Sequence, residues 1–386
     1  MLSGCHGKSM CGFMSSSGYD ALAKRAASLS SECSLVVVTA VFGRKDKLQQ
    51  PAGVWPSVSG CFFAFVDDES ASFLLQTAPP SVAREGALSD ERIGAWRLLK
   101  LPLTQSPYVS PRRASRVPKL LTFRFFPSAE YSVWLDGKLK LLVDPHTLVR
   151  RFLSSPHAAI ALPRNLRRDH IDEEMAWIRS TLAEEPEKLV ASDARAVEAQ
   201  WRYYEAEQRN ASSTWMARTA CAEGAMIVTN LRSPLAKCVL CAWYNEWHRF
   251  GERDQLSLSY VLHSMGLSPP AEAPASTPAV ADETTTTSST TTTTKKKKKK
   301  KKAKAKASHG GSAEVHRGVY FWPRQDHWHY KRNRAAGEAK RPAFVKYVGH
   351  GGCQATGQRI ANPGCADKRS RSASQTMKKS TVRRDM

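Results

Sequence analysis

The chain has 386 residues, 41% of them hydrophobic, enough to bury a core and to form one large domain or two ordinary ones. No apolar run approaches the ~20 residues that cross a bilayer, so no membrane-spanning helix is predicted. The net charge of +23 is unevenly spread: residues 1–270 carry 32 basic and 27 acidic side chains, whereas residues 271–386 carry 26 and 8, so affinity for polyanions belongs to the tail and is separable from the chemistry of the body.

Residues 1–33 lack a secretory apolar core and read as a flexible N-terminal segment. Ser34 to Ala40 (SLVVVTA) predicts a strand, followed by a loop through Phe42, Gly43 and Asp46. Cys61 to Val66 (CFFAFV) predicts a second strand ending on Asp67 and Asp68, and Trp96 to Leu103 a third. A basic stretch with Arg113, Arg116 and Lys119 leads into a helix over Lys119 to Phe126. Tyr131 to Leu135 (YSVWL) is β-branched and aromatic, as suits a buried parallel strand, and Asp136-Gly137-Lys138 follows at once. Asp144-Pro145 starts a helix through Phe152. Ala158 to Leu162 is a short apolar run.

Asp172 to Leu182 and Ala194 to Arg209 have the spacing of amphipathic helices. Glu223-Gly224 precedes a strand at Ala225 to Thr229. Ser233 to Phe250 and Asp254 to His263 read as helices, the first carrying Glu246. Strands alternating with helices predict an α/β domain over 34–266 with a largely parallel sheet. Residues 267–312, Thr-rich and then an unbroken run from Lys295 to Lys302, cannot bury apolar area and are expected to be disordered. The aromatic residues of 313–350 predict a segment that packs on the domain. Residues 351–386 form a basic, flexible tail.

The nine cysteines do not read as a disulfide framework. Cys238 and Cys241 form a C-x-x-C pair, but no second pair stands at zinc spacing, so they read as two buried thiols on a helix.

In open α/β sheets ligands collect at the carboxyl ends of strands, which makes Asp136 and Lys138 candidates for holding a phosphorylated ligand. The ordinary alternative is a strand-ending turn, where Asp and Gly are favoured anyway. Arg113, Arg116 and Lys119, three apart in the basic turn leading into the Lys119 to Phe126 helix, would share one face if the turn is itself helical, and could then meet phosphates. Asp254 starts a helix, where an Asp is commonly just an N-cap; Gln255 has less reason to be there.

Taken together, TAVFGRKDKLQQP (Thr39 to Pro51), FAFVDDES (Phe63 to Ser70), the segment from Arg112 to Pro145, EGAMIV (Glu223 to Val228) and WYNEWHRFGERDQLSLSYVL (Trp243 to Leu262) resemble a plant glycosyltransferase-like family. It contains the mucilage-related and turgor-regulation-defect proteins. The resemblance covers about residues 34–265. It implies a GT-A-like, Rossmann-like nucleotide-diphospho-sugar transferase fold. It also implies transfer of a sugar from a nucleotide sugar, foremost a UDP-sugar, to a hydroxyl acceptor such as a glycan, in the Golgi or secretory pathway. One family member is assigned instead as an alkaline ceramidase, and a polyanion-binding or anionic-membrane-binding role for the basic tail is a third reading. No recognisable nucleic-acid module accompanies that tail.

Under this resemblance Phe42, Gly43, Asp46, Arg113, Arg116, Lys119, Asp136, Lys138 and Gln255 are expected at the donor. Asp254, Glu223 and Glu246 are the candidates for the base that deprotonates the acceptor. Such enzymes commonly hold Mn2+ or Mg2+ on the diphosphate with an Asp-x-Asp pair. Asp136, His327 and His329 are the metal candidates here, with His350 a further one. Lys138, however, stands where the second Asp would be and could itself supply charge to the diphosphate.

Overall fold

The structure, a computed structural model, describes residues 11–12, 17–78, 80, 82, 88–89, 91–155, 157–165, 167–184, 194–251, 253–268, 314–316, 318–322 and 344–347. The chain opens with helix α1 (Gly18–Leu29), strand β1 (Leu35–Val41), strand β2 (Phe62–Val66) and helix α2 (Asp68–Gln76). Three short strands follow, β3 (Leu88–Ser89), β4 (Arg92–Ile93) and β5 (Trp96–Lys100). Helices α3 (Pro111–Leu120) and α4 (Thr122–Phe125) lead into β6 (Tyr131–Leu135), β7 (Leu139–Leu141) and α5 (Pro145–Phe152). Next come β8 (Ile160–Pro163), α6 (Ile171–Glu184), α7 (Ala194–Asn210), α8 (Trp215–Arg218) and β9 (Met226–Asn230). Helices α9 (Pro234–Phe250) and α10 (Asp254–Ser264) precede the last strands, β10 (Glu314–His316), β11 (Val319–Trp322) and β12 (Val345–Tyr347).

Ten strands form one sheet in the order β10-β11-β8-β9-β6-β1-β2-β5-β4-β3. Its centre, β6-β1-β2-β5, is wholly parallel. Followed outward through the pairings, seven of the ten strands share one direction, and β9, β4 and β10 run against it. β1 and β2 are buried almost throughout because both faces are covered, which is why they read as continuous apolar runs rather than alternating ones. Phe63 and Phe65 of β2 pack on Phe125 and Phe126 at ring separations of 4.8 to 6.2 Å. Burying each such side chain is worth roughly 1.5–3 kcal/mol. A second apolar cluster joins α6, α7, α8 and α10 through Ile171, Met175, Ile178, Tyr204, Trp215 and Leu256.

Three expectations need correction. Part of the N-terminal segment is helical: α1 buries Tyr19 completely, and the Tyr19 hydroxyl donates to the Ala114 carbonyl at 2.9 Å. An amphipathic helix with an aromatic anchor therefore docks within the segment that the sequence predicts to be flexible. The cysteines do pair: Cys33 bonds Cys61, Cys11 bonds Cys241, and Cys238 is disulfide-bonded as well, so α9 does not carry two thiols. Cys33 and Cys61 meet because they stand two residues before β1 and one residue before β2, parallel neighbours that begin at the same end of the sheet. The helix expected over Lys119 to Phe126 is two helices, and the longer begins eight residues earlier, at Pro111 with Ser110 as its N-cap.

Residues 344–347 and 314–322 add strands rather than only packing on the surface: β11 lies parallel to β8 and β12 antiparallel to β7. Residues 269–313 and 348–386, with the Thr-rich and lysine runs and the basic tail, lie outside the described residues.

Candidate functional site

The site is built where the parallel strands end. β6 delivers Asp136 and Lys138 there, and β1 delivers the loop from Phe42 to Asp46 beside it. Because β9 runs antiparallel to β6, the residues that enter β9 lie next to the residues that leave β6. Leu135 pairs with Met226, and the Asp136 amide donates to the Ala225 carbonyl at 2.8 Å. That reversal places Glu223 and Gly224 against Asp136. The order of elements alone does not announce it.

Helix α3 supplies the cations. Its N-cap Ser110 and Pro111 in the first turn start it, and it continues through Pro118. At 100° per residue, positions 112, 116 and 119 form one narrow stripe. Lys119 lies at its centre, 3% exposed, with Nζ 2.5 Å from Asp254 Oδ2 and 3.9 Å from Asp136 Oδ1. Arg116 Nε is 3.3 Å from the same Asp254 oxygen. Lys138 Nζ approaches the other oxygen of Asp136 at 3.5 Å, and the Trp134 indole donates to Oδ1 at 3.0 Å. Arg113, expected on this face, turns aside. Its guanidinium stands over Tyr108 and Trp247 and donates to the His248 carbonyl at 3.2 Å.

Asp254 is the first residue of α10, and Arg253 occupies the cap position. Asp254 is therefore no N-cap; its carboxylate is spent on Lys119 and Arg116. Trp243 fixes this end of the helix by donating from its indole to the Asp254 carbonyl at 2.7 Å. Gly224 makes room: a Cβ there would stand 2.7 Å from Lys119 Nζ and 3.4 Å from Trp243.

The charges polarise one another. Burial alone would raise the Asp254 carboxyl, but Arg116 and then Lys119 reverse it and hold it well below the ordinary carboxylate range. Asp136 behaves likewise: burial raises it, and Lys119, Lys138 and Arg116 together bring it below its usual value. Glu223 goes the other way, raised by burial and by Asp136 despite Lys138 and Lys119. Lys45 is pulled down to about 8, first by desolvation, then by Arg112, with Arg116 and Lys138 adding to it. Burial is the larger cause, and the neighbouring cations add to it.

The β1 loop is pinned from outside the site. Gly43 and Arg44 both have positive φ, 64° and 54°. The Gly43 amide donates to Asp67 Oδ2 at 2.9 Å, and Asp67 also caps α2 through the Ser70 amide. Asp67 is thus a buried support, not a solvated acid. Phe42 belongs to the core. Asp46 packs against Gly137, whose added Cβ would meet it at 3.1 Å. Gln255 is half-buried next to Asp254, and its side chain makes no hydrogen bond among the described residues.

Glu246 is not part of this cluster. It accepts a hydrogen bond from Tyr204 at 2.9 Å within the aromatic packing of α7, and burial raises its carboxyl. His327, His329 and His350 lie outside the described residues. Lys45 and Arg112 escaped sequence reading; the available signal for Arg112 was its position one helical turn before Arg116. Glu174, 1% exposed and paired with Arg168, is a further buried acid that no motif marked. A separate cavity of about 320 Å3 is lined by Trp215, Arg218, Thr219 and His263. It lies near the other end of α10, about 14 Å along the helix from Asp254.

As a metal centre the arrangement fits poorly. Among the described residues no three His, Cys, Asp or Glu side chains converge to hold an ion. Asp136, the carboxylate expected to serve, already faces the Lys119 and Lys138 ammonium groups, and the neighbouring Asp254 faces Lys119 and Arg116.

The charged cluster stands at the carboxyl ends of the central parallel strands, the place where open, Rossmann-like α/β sheets receive their ligands. Residues 6–275 match the TOD1/MUCI70, glycosyltransferase-like domain family, and the chain belongs to it. The chain is 31% identical over 230 residues to the "Probable hexosyltransferase MUCI70" of Arabidopsis thaliana, covering 59% of this chain and 37% of that protein. It is 29% identical over 235 residues to the "Alkaline ceramidase TOD1" of the same plant, covering 60% and 48%. The match therefore spans less than half of either relative. Solved structures align only loosely. Mouse xyloside xylosyltransferase 1 in its apo form gives a TM-score of 0.33 at 12% identity, covering 60% of this chain and 83% of that one. An active-site mutant of LgtC gives 0.33 at 7% identity, covering 89% and 95%.

Proposed function

We propose that this domain transfers a hexosyl or glycuronosyl group from a nucleoside diphosphate sugar, foremost a UDP-sugar, to a hydroxyl of a glycan acceptor. The observation that carries the reading is Asp136 at the carboxyl end of β6, set among Lys119, Lys138 and Arg116. Anionic phosphates suit the cations, and sugar hydroxyls suit Asp136 and Gln255. Membership of a glycosyltransferase-like family supports the same reaction class.

Of the three candidate bases, Glu223 suits the role. Asp254 is locked in ion pairs that depress it, and Glu246 is held by Tyr204. Glu223 is raised toward neutrality and sits by Asp136. In an inverting reaction the acceptor O–H would pass its proton to Glu223. The acceptor oxygen would bond to the anomeric carbon, and the bond from that carbon to the diphosphate oxygen would break, leaving its electron pair on the nucleoside diphosphate.

The paired cysteines support an oxidising compartment, in keeping with the secretory pathway. The basic tail, on this reading, is an accessory that binds polyanions or anionic membrane. The test is to incubate the full-length chain with a panel of nucleotide sugars and follow nucleoside diphosphate release and thermal shift. A donor that both stabilises the protein and turns over is expected. Folded protein that binds and turns over none of them, while releasing fatty acid from ceramide in liposomes, would replace this reading with amide hydrolysis.

A further inference from the structure

Asp136 and Asp254 come from opposite sides of the domain, one from a strand end and one from a helix start, and converge on one group. That group is the Lys119 ammonium, 3.9 Å from one carboxylate and 2.5 Å from the other. It is built in, not incidental. Lys119 is 3% exposed, its ammonium lies 5.3 Å from the Trp243 ring centroid and 6.0 Å from that of Trp134, and Gly224 leaves the space it fills. Outside this buried layer stands a second one. Lys138 and Arg116 keep 25% and 17% of their side-chain surface exposed while touching the same two aspartates. Lys45 and Arg112 flank them, close enough to act electrostatically on the cluster.

We propose that the chain's own cations hold the donor diphosphate without a divalent ion, Lys119 standing between Asp136 and Asp254 where such an ion would bridge them, and Lys138 and Arg116 facing the phosphates. The inference rests on the glycosyltransferase reading above and deepens it. A dication placed between these aspartates would have to displace Lys119 from both of its ion-pair partners, Asp136 and Asp254, toward Trp134 and Trp243, and would sit beside Lys138 and Arg116. A diphosphate brings the opposite charge and needs no displacement. Its departure with the bonding electron pair is stabilised by cations already in place, the role otherwise given to a metal ion.

The experiment is calorimetric titration of the full-length, disulfide-intact chain with UDP and with GDP, each in EDTA and in excess manganese. At least one diphosphate is expected to bind in EDTA, with manganese changing its affinity by less than about threefold. Lys138→Ala, at a side chain that keeps a quarter of its surface exposed, is expected to weaken that diphosphate by about tenfold and to weaken the corresponding monophosphate less. Binding that appears only with manganese, or a Lys138→Ala variant that binds as tightly as the parent, overturns the metal-free site while leaving a glycosyltransferase in place. Folded protein that binds neither diphosphate in either condition overturns the donor-site reading as well.

Discussion

Two buried carboxylates, Glu246 and Asp254, sit on consecutive helices and look interchangeable in the sequence, yet they lie in opposite surroundings. Asp254 faces the charged end of the sheet, where Arg116 and Lys119 depress it. Glu246 faces the aromatic cluster, where its partner is a neutral hydroxyl and burial raises it. The first acid is charged and belongs to a network; the second tends toward its neutral form and belongs to packing. What separates them is which neighbouring helix each meets: α3, with its basic stripe, or α7, with its tyrosines.

The same chemical edit at the two positions should therefore have unequal effects. Asp254→Asn leaves Lys119 buried without its nearest counter-charge, so it should cost about 3–5 kcal/mol in denaturant unfolding and abolish donor binding. Glu223→Gln removes the proposed base but not the cations. It should lower transfer by about 100-fold or more while leaving diphosphate affinity nearly unchanged, measured by turnover against calorimetry on one preparation. Equal loss of both would move Glu223 from chemistry to binding.

Gly224→Ala pushes a methyl group to 2.7 Å from Lys119 Nζ. Displacing that ammonium should cost about 1–3 kcal/mol and weaken diphosphate binding more than its effect on stability alone would suggest. The smallest effect belongs to Glu246→Gln, which retains an acceptor for Tyr204 and should change stability by less than about 1 kcal/mol.

Acid sharpens the contrast. The contribution of Asp254, depressed in the folded state, is present above the ordinary Asp value of about 3.9 and fades as pH falls through its folded value. The destabilisation by Asp254→Asn should shrink accordingly. Glu246 is raised, so the parent loses stability as pH climbs from the ordinary Glu value of about 4.3 toward the folded one. Glu246→Gln should therefore gain on the parent over that range. Unfolding midpoints of the three proteins across pH check both signs.

Much of this was legible. The strands ending at Val41, Val66 and Leu135 are apolar on both faces, and acids or glycines directly follow them, so Asp136, Lys138 and the Gly43 loop could be placed at strand ends from pattern alone. What stayed hidden depends on pairing across long separations. The reversal of β9 brings Glu223 to Asp136. The disulfide of Cys11 with Cys241 closes 230 residues. Arg112 and Arg113 are hard to place from sequence because a basic stretch ahead of the apolar helix looks like a turn, whereas the helix begins at Pro111 and its pitch selects 112, 116 and 119. Glu246, on the helix just before Asp254, looks equally suited to act as the base in sequence; only the tyrosine opposite, Tyr204, reveals its role.

Hydrogen exchange of the full-length chain, with and without saturating UDP, tests the central claim most directly. Slowed exchange is expected in peptides from 110–120, 134–140 and 223–226, with the segment 213–219 beside the separate cavity unchanged. Protection confined to 213–219 and the end of α10, with the strand-end peptides unaffected, would contradict it.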